Sequence, residues 1–248
     1  MVMQRTLNRV AELLGAEEAE CVALQLGRIA PMPGAPRLFR RIACASEINQ
    51  LNDYLAEVRY ALAFAALGFQ IEIEPNGSKG PDLAVSRDAE RVMVEVTRFR
   101  EVHPGAPALG NDAISGFLAE YGNPERDIRK SFEKILAKLP QLGHDLAIVA
   151  VWNDDGDLEE LEVKDAVGSL RQDASTGQFA IPAGFLLVIY ASPWVRARDG
   201  KQIWCFPMTE AMPLQVHAWC QDLESSRVSS LVHAAMSHVD GDSRLTRQ

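Results

Sequence analysis

The spacing of hydrophobic and polar positions divides the chain into successive elements. Residues 3–29 carry apolar side chains at helical spacing on both sides of Gly15, which predicts two short helices. The segment PMPGAP, residues 31–36, breaks this pattern. A longer helix is predicted from Ser46, a suitable N-cap, to Gly68, since glycine commonly ends helices. The chain up to Gly68 is therefore predicted to be mainly helical.

Strand-like patterns follow the long helix. FQIEIE (69–74), DLAVS (82–86) and RVMVEVT (91–97) read as strands, and the polar turn RDAE between the last two predicts a hairpin. Predicted helices then alternate with three further strands, HDLAIVAVW, AGFLLVIYASP and KQIWCFPM. This alternation predicts an α/β domain with a mixed sheet over residues 46–248, preceded by a small helical extension over residues 1–45.

Composition and charge narrow the functional classes. The 248 residues are 47% hydrophobic and 24% charged, as in ordinary soluble proteins, and the formal net charge is −9. A nucleic-acid partner would therefore bind through a local patch and not through a global positive field. The four cysteines form no CxxC pair, which argues against a zinc ribbon or a disulfide framework. Without a signal-peptide pattern or a spanning apolar run, we expect a cytoplasmic protein with no membrane partner.

One predicted strand carries a carboxylate among apolar residues. Alternate side chains of a strand share a face, so Met93, Glu95 and Thr97 lie opposite the valines of RVMVEVT. The hairpin brings Asp82, at the start of one strand, near Glu95 in the next. Two adjacent carboxylates imply a raised pKa or a bound cation, and oxygen ligands suit Mg²⁺ or Mn²⁺. Glu57, at the margin of the apolar stripe of the long helix, can be aimed at the same cleft.

These features resemble the PD-(D/E)XK nuclease superfamily, which has the restriction-endonuclease-like fold. The matching pieces are Glu57 on a helix, Pro81-Asp82 on a hairpin and Val94-Glu95-Val96-Thr97 on a strand, within core motifs at residues 46–152. The resemblance implies that Asp82, Glu95 and the carbonyl of Val96 hold Mg²⁺ or Mn²⁺. It also implies hydrolysis of phosphodiester bonds in DNA, or alternatively RNA, in a defence or restriction setting. It implies nothing for residues 153–248.

The chain departs from the family pattern at the position of the family's lysine. Thr97 stands there, and its hydroxyl supplies no cation to position an attacking water. Some family members are similar in borrowing a lysine from the following helix. Lys130, Lys134 and Lys138 share one stripe of that predicted helix, and Lys134 and Lys138 are the candidates; a solvated helix face is the other interpretation.

Basic residues beside the predicted site offer a patch for a nucleic acid, most simply DNA. They are Lys79 in the loop before Asp82, and Arg98 and Arg100 after the strand. The alternative function is a catalytically silent module that keeps the fold for binding or assembly, which the acidic charge and Thr97 favour. The apolar segments of residues 153–248 are candidates for a homodimer interface or for completing the core.

Overall fold

The computed structural model describes residues 2–77, 80–99, 124–142, 145–153, 158–193, 201–210 and 212–226. In these ranges the protein is a mixed α/β structure, with one six-stranded sheet flanked by seven α-helices. The helices are α1 (Val2–Leu14), α2 (Ala16–Ile29), α3 (Ala35–Ala43), α4 (Ile48–Ala66), α5 (Pro124–Lys138), α6 (Glu160–Ser175) and α7 (Leu214–Ser225). The strands are β1 (Gln70–Ile73), β2 (Leu83–Arg87), β3 (Glu90–Phe99), β4 (Ala147–Asn153), β5 (Phe185–Ala191) and β6 (Ile203–Pro207).

Strand order in the sheet follows chain order, from β1 to β6. The pairs β1–β2, β2–β3 and β5–β6 are antiparallel, whereas β3–β4 and β4–β5 are parallel. All residues of β4 and β5 are buried, as expected for parallel strands covered on both faces. The mixed sheet and the alternation of helices and strands that the sequence predicts are confirmed.

Two hydrophobic cores lie on opposite faces of the sheet. One contains side chains of α1–α4 and α7, and the other contains side chains of α5 and α6. Val10, Leu26 and Ile42, from the predicted N-terminal extension, are fully buried in the same core as α4. Residues 2–45 therefore pack directly against the helix that carries Glu57. Within the described part of the chain, no helix combines the length and apolar character needed to cross a membrane.

The β2–β3 hairpin fixes the geometry around the predicted site. Arg87 pairs with Glu90, and the two turn residues between them have positive φ angles of 55° and 68°, which suits the right-handed twist of a hairpin. The register pairs Leu83 with Val94. The preceding residue, Asp82, is thereby placed beside Glu95, as the predicted hairpin requires.

Helix α3 is an element that the sequence pattern did not predict. Its N-terminus is locked against the end of β1, because Ile73 N donates a 2.8 Å hydrogen bond to the carbonyl of Pro33. Gly34 has φ 86°, and a Cβ there would lie only 1.7 Å from the carbonyl oxygen of Ile73. This close approach requires glycine. It also sets the position of Arg37 and Arg41 relative to β1.

Candidate active site

The centre of the candidate site is the pair formed by Asp82 and Glu95. Asp82 lies just before β2, and its Oδ2 accepts a 2.8 Å hydrogen bond from Val96 N, at the point where β2 no longer pairs with β3. Glu95 projects from the middle of β3, with only 2% of its side chain exposed. The hairpin therefore holds one carboxylate by the backbone and buries the other next to it.

The last residue of α5, Lys138, brings a cation to Glu95. Lys138 Nζ lies 2.6 Å from Glu95 Oε1, with 25% of the lysine side chain exposed. Lys134, one turn earlier, donates instead to the carbonyl of Arg98 and stands 5.5 Å from the centre of the Phe99 ring. Of the two predicted lysines, Lys138 is therefore the one that reaches the carboxylates.

Glu57 lies in the same cluster, but a guanidinium occupies both of its oxygens. Arg41 Nη1 is 3.1 Å from Glu57 Oε2, and Arg41 Nη2 is 2.7 Å from Glu57 Oε1. Such a bidentate pair is among the stronger charge-assisted hydrogen bonds of proteins. Glu57 is thus directed inward from α4, and each of its oxygens already accepts a hydrogen bond from Arg41.

Sequence reasoning missed two members of the cluster, Arg41 and Glu74. Arg41 Nη1 lies 2.8 Å from Glu74 Oε1 and 4.0 Å from Asp82 Oδ1. Arg37 reaches Glu74 from the rim, with 43% of its side chain exposed and its Nε 3.5 Å from Oε2. The position of Glu74, directly after β1 and before the loop that leads to Asp82, is the sequence signal that could have indicated it.

The cluster carries more negative than positive charge. Four carboxylates, those of Glu57, Glu74, Asp82 and Glu95, meet the inner cations Arg41 and Lys138, which leaves a formal charge of −2. Arg37 at the rim offsets part of this excess but not all of it. Buried carboxylates with uncompensated charge either take up protons or bind a cation.

Burial raises the pKa values of the three predicted carboxylates. The pKa of Glu57 is raised well above its usual value, by burial and then by the charge of Asp82. The pKa of Asp82 is raised by burial, although the Val96 N–H opposes the shift. Burial, followed by the charge of Asp82, raises the pKa of Glu95 to about 7, even though Lys138 lowers it. Burial lowers the pKa of Lys138, but the charge and the hydrogen bond of Glu95, together with the charges of Asp82 and Glu57, outweigh this effect, so that the pKa is raised.

The predicted ligand set has oxygen atoms to offer a hard cation. Glu95 Oε2 is buried and has no hydrogen-bond partner among the described residues. The N–H and C=O of a strand residue point to the same side, so the carbonyl of Val96 faces the side where Asp82 lies. No group of three His, Cys, Asp or Glu side chains in the described ranges is arranged to hold a metal ion. Two carboxylates and a carbonyl, completed by water, still suit Mg²⁺ or Mn²⁺.

The predicted substrate-binding residues are distributed differently. Lys79 and Arg100 lie outside the described residues. Arg98 is on the α4 side of the sheet with 4% of its side chain exposed; its Nε lies 2.8 Å from Asp53 Oδ1, and its Nη2 donates to the carbonyl of Asn49. In this arrangement Arg98 joins β3 to α4 and does not face Glu95.

Comparisons with known proteins bring no further identification: no family model, curated protein or solved structure matches this chain. The resemblance to PD-(D/E)XK nucleases therefore stays a prediction from the sequence. Any function proposed for the protein rests on that resemblance and on the geometry of the cluster itself.

Proposed function

We propose that the protein is a metal-dependent nuclease with a restriction-endonuclease-like fold, which hydrolyses phosphodiester bonds of DNA or, alternatively, RNA. The observation that supports this most directly is the convergence of Asp82, Glu95 and Lys138. The two carboxylates are held by a hairpin, and the ammonium comes from the end of α5, 43 residues from Glu95 in sequence. Lys138 thereby provides, from another element, the charge that Thr97 does not.

Each group has a role that follows from its position. A divalent ion held by Asp82, Glu95 and the carbonyl of Val96 would polarise the scissile phosphate and lower the pKa of a bound water. The Val96 N–H fixes one oxygen of Asp82, so that the other oxygen is oriented before a ligand arrives. Lys138 favours the ionised form of Glu95 and places positive charge beside the carboxylates, where a pentacoordinate phosphate would gain negative charge.

The test uses two nearly isosteric substitutions. Asp82→Asn keeps an oxygen that can accept from Val96 N–H, and Glu95→Gln keeps the side-chain volume, while each removes one negative charge. We expect the unaltered protein to cleave duplex DNA, single-stranded DNA or RNA with Mg²⁺ or Mn²⁺. Each substitution is expected to slow cleavage at least ~100-fold, as removal of a transition-state contact does in other enzymes.

The matched control is Glu72→Gln, which neutralises a half-exposed carboxylate of β1 that pairs with Arg91 outside the cluster. Its cleavage rate is expected to equal that of the unaltered protein. Absence of cleavage on all three substrates, together with no heat of Mn²⁺ binding in calorimetry, would contradict the proposal.

The second candidate is a catalytically silent module, and internal charge pairing favours it. Arg41 pairs with Glu57 and Glu74, and Lys138 pairs with Glu95, so that two of the four carboxylate charges are compensated without a metal. A silent module predicts that Asp82→Asn changes neither Mn²⁺ binding nor the effect of the protein in cells. The calorimetric titration of that variant separates the two functions.

A further inference from the structure

Arg41 contacts the acidic cluster as a central cation. Its guanidinium lies within hydrogen-bonding distance of Glu57 and Glu74, at 2.7–3.1 Å, and 4.0 Å from Asp82 Oδ1. Asp82 therefore stands between two positions for positive charge. One is the guanidinium, and the other is the metal position that Asp82 shares with Glu95 in the proposed function.

The guanidinium is held in place from outside the cluster. It lies over the ring of Tyr54, 4.4 Å from the ring centre, and the backbone of α3 is fixed by the Gly34–Ile73 contact. A planar guanidinium with several fixed donors binds carboxylates in a defined geometry, which a mobile ammonium does not do. Arg41 is consequently a built-in part of the site and not a surface residue that happens to reach it.

We infer that Arg41 is a positioning residue that takes the place of a second cation and limits the cluster to one divalent ion. This inference rests on the proposed function. Without the guanidinium, the carboxylates of Glu57, Glu74 and Asp82 would face one another without an inner counter-charge. While Arg41 holds Glu57 and Glu74, the three carboxylates are not arranged around a metal ion. Once released from the guanidinium they would repel one another, and carboxylate oxygens that are free to turn toward a common cation bind Mn²⁺. With Arg41 in place, the one divalent ion therefore binds between Asp82 and Glu95, next to Lys138.

The test counts Mn²⁺ ions in the full chain and does not depend on cleavage. Calorimetry and electron paramagnetic resonance are expected to give one bound ion for the unaltered protein and two for Arg41→Gln, with spin coupling between the two ions of the variant. The matched control is Arg37→Gln, since Glu74 is the one carboxylate of the cluster that Arg37 touches, and it does so from the rim. It is expected to bind one ion.

The difference between variant and unaltered protein tests the inference, while the count for the unaltered protein tests the proposed function. If the unaltered protein binds no Mn²⁺ ion and Arg41→Gln binds one, the result supports the role of Arg41 and contradicts the proposed nuclease function. Equal counts in the two proteins, or two ions in the unaltered protein, would overturn the inference. If Arg41→Gln is unfolded without metal, excess Mn²⁺ is expected to restore its native circular dichroism. Failure to do so would also overturn the inference.

Discussion

Lys138 Nζ and Glu95 Oε1 are 2.6 Å apart and join the last residue of α5 to the middle of β3. The carboxylate is almost wholly buried, whereas a quarter of the lysine side chain is exposed. The ammonium therefore lies nearer to solvent than the carboxylate that it contacts. In the proposed function, a lysine so placed would contact a substrate phosphate while it remains paired with Glu95.

Replacement of this lysine should affect activity far more than stability. Lys138→Met is expected to reduce the rate of cleavage ~100-fold, because the positive charge beside the reacting phosphate is lost. Lys130→Met, on the same helix stripe, is the control and should retain the full rate. Lys134→Met should lose less than about tenfold, since Lys134 donates to a backbone carbonyl and not to a carboxylate of the cluster. Equal losses in all three variants would show that the stripe only attracts nucleic acid through its charge.

The raised pKa of Glu95 predicts how stability changes with pH. In the unfolded chain a glutamate loses its proton near pH ~4.3, whereas the folded protein keeps it until about pH 7. The folded state therefore binds more protons over this range, and its stability should fall as pH rises from 5 to 8. The contribution of Glu95 is on the order of 3 kcal/mol.

Thermal unfolding at a series of pH values checks this expectation. Glu95→Gln should flatten the decline in unfolding temperature, because glutamine does not titrate. Added Mn²⁺ should stabilise the unaltered protein more at pH 8 than at pH 5.5, since metal binding requires the deprotonated carboxylate. Parallel profiles for the unaltered protein and Glu95→Gln would be inconsistent with a buried, titrating Glu95.

A substitution at Gly34 should destabilise the fold through the backbone. Gly34→Ala places a methyl group against the carbonyl of Ile73 at a residue with positive φ, and we expect a loss of at least about 2 kcal/mol in the free energy of unfolding. Gly27→Ala is the control, because nothing lies within 4 Å of a Cβ at that helical position. It should stabilise the protein by up to about 1 kcal/mol. Urea unfolding of both variants measures the difference, and similar values would argue against the close contact.

The sequence predicts that Arg98 binds substrate, whereas its contacts in the structure join β3 to α4. Because Arg98 anchors β3 to α4, Arg98→Met should lower the free energy of unfolding by about 1–3 kcal/mol. This loss is smaller than for a fully buried ion pair, since the side chain of Asp53 is 48% exposed. Mn²⁺ affinity should stay the same. A substrate-binding role instead predicts unchanged stability and weaker binding of DNA, measured by fluorescence anisotropy.

Local patterns predicted those parts of the site that depend on neighbouring residues. The alternation in RVMVEVT separates Glu95 from the valines because strand side chains have a period of two, and the turn after Arg87 sets the hairpin register. Both features act over a few residues. They were sufficient to place Asp82 beside Glu95 without knowledge of the remaining chain.

Tertiary packing determines which lysine reaches Glu95 and which arginine reaches Glu74, and local sequence patterns do not predict either contact. Lys134 and Lys138 lie one turn apart on the same stripe, so the choice between them depends on how far α5 extends along β3. Arg41 meets Glu74 across 33 residues, from a helix that was not predicted although its apolar positions have helical spacing. Neither the docking of α3 nor the position of α5 along β3 is encoded in a local pattern.

The sequential strand order has a consequence for synthesis on the ribosome. Each strand pairs with the one made just before it, so the sheet can grow in one direction as the chain emerges, without waiting for a distant partner. All six charged residues of the cluster lie between Arg41 and Lys138, and they can meet before β5, β6 and α7 exist. The pair Arg87–Asp222, which spans 135 residues, forms only after α7 has been synthesised. The charged cluster can therefore assemble before α7 closes on the hairpin.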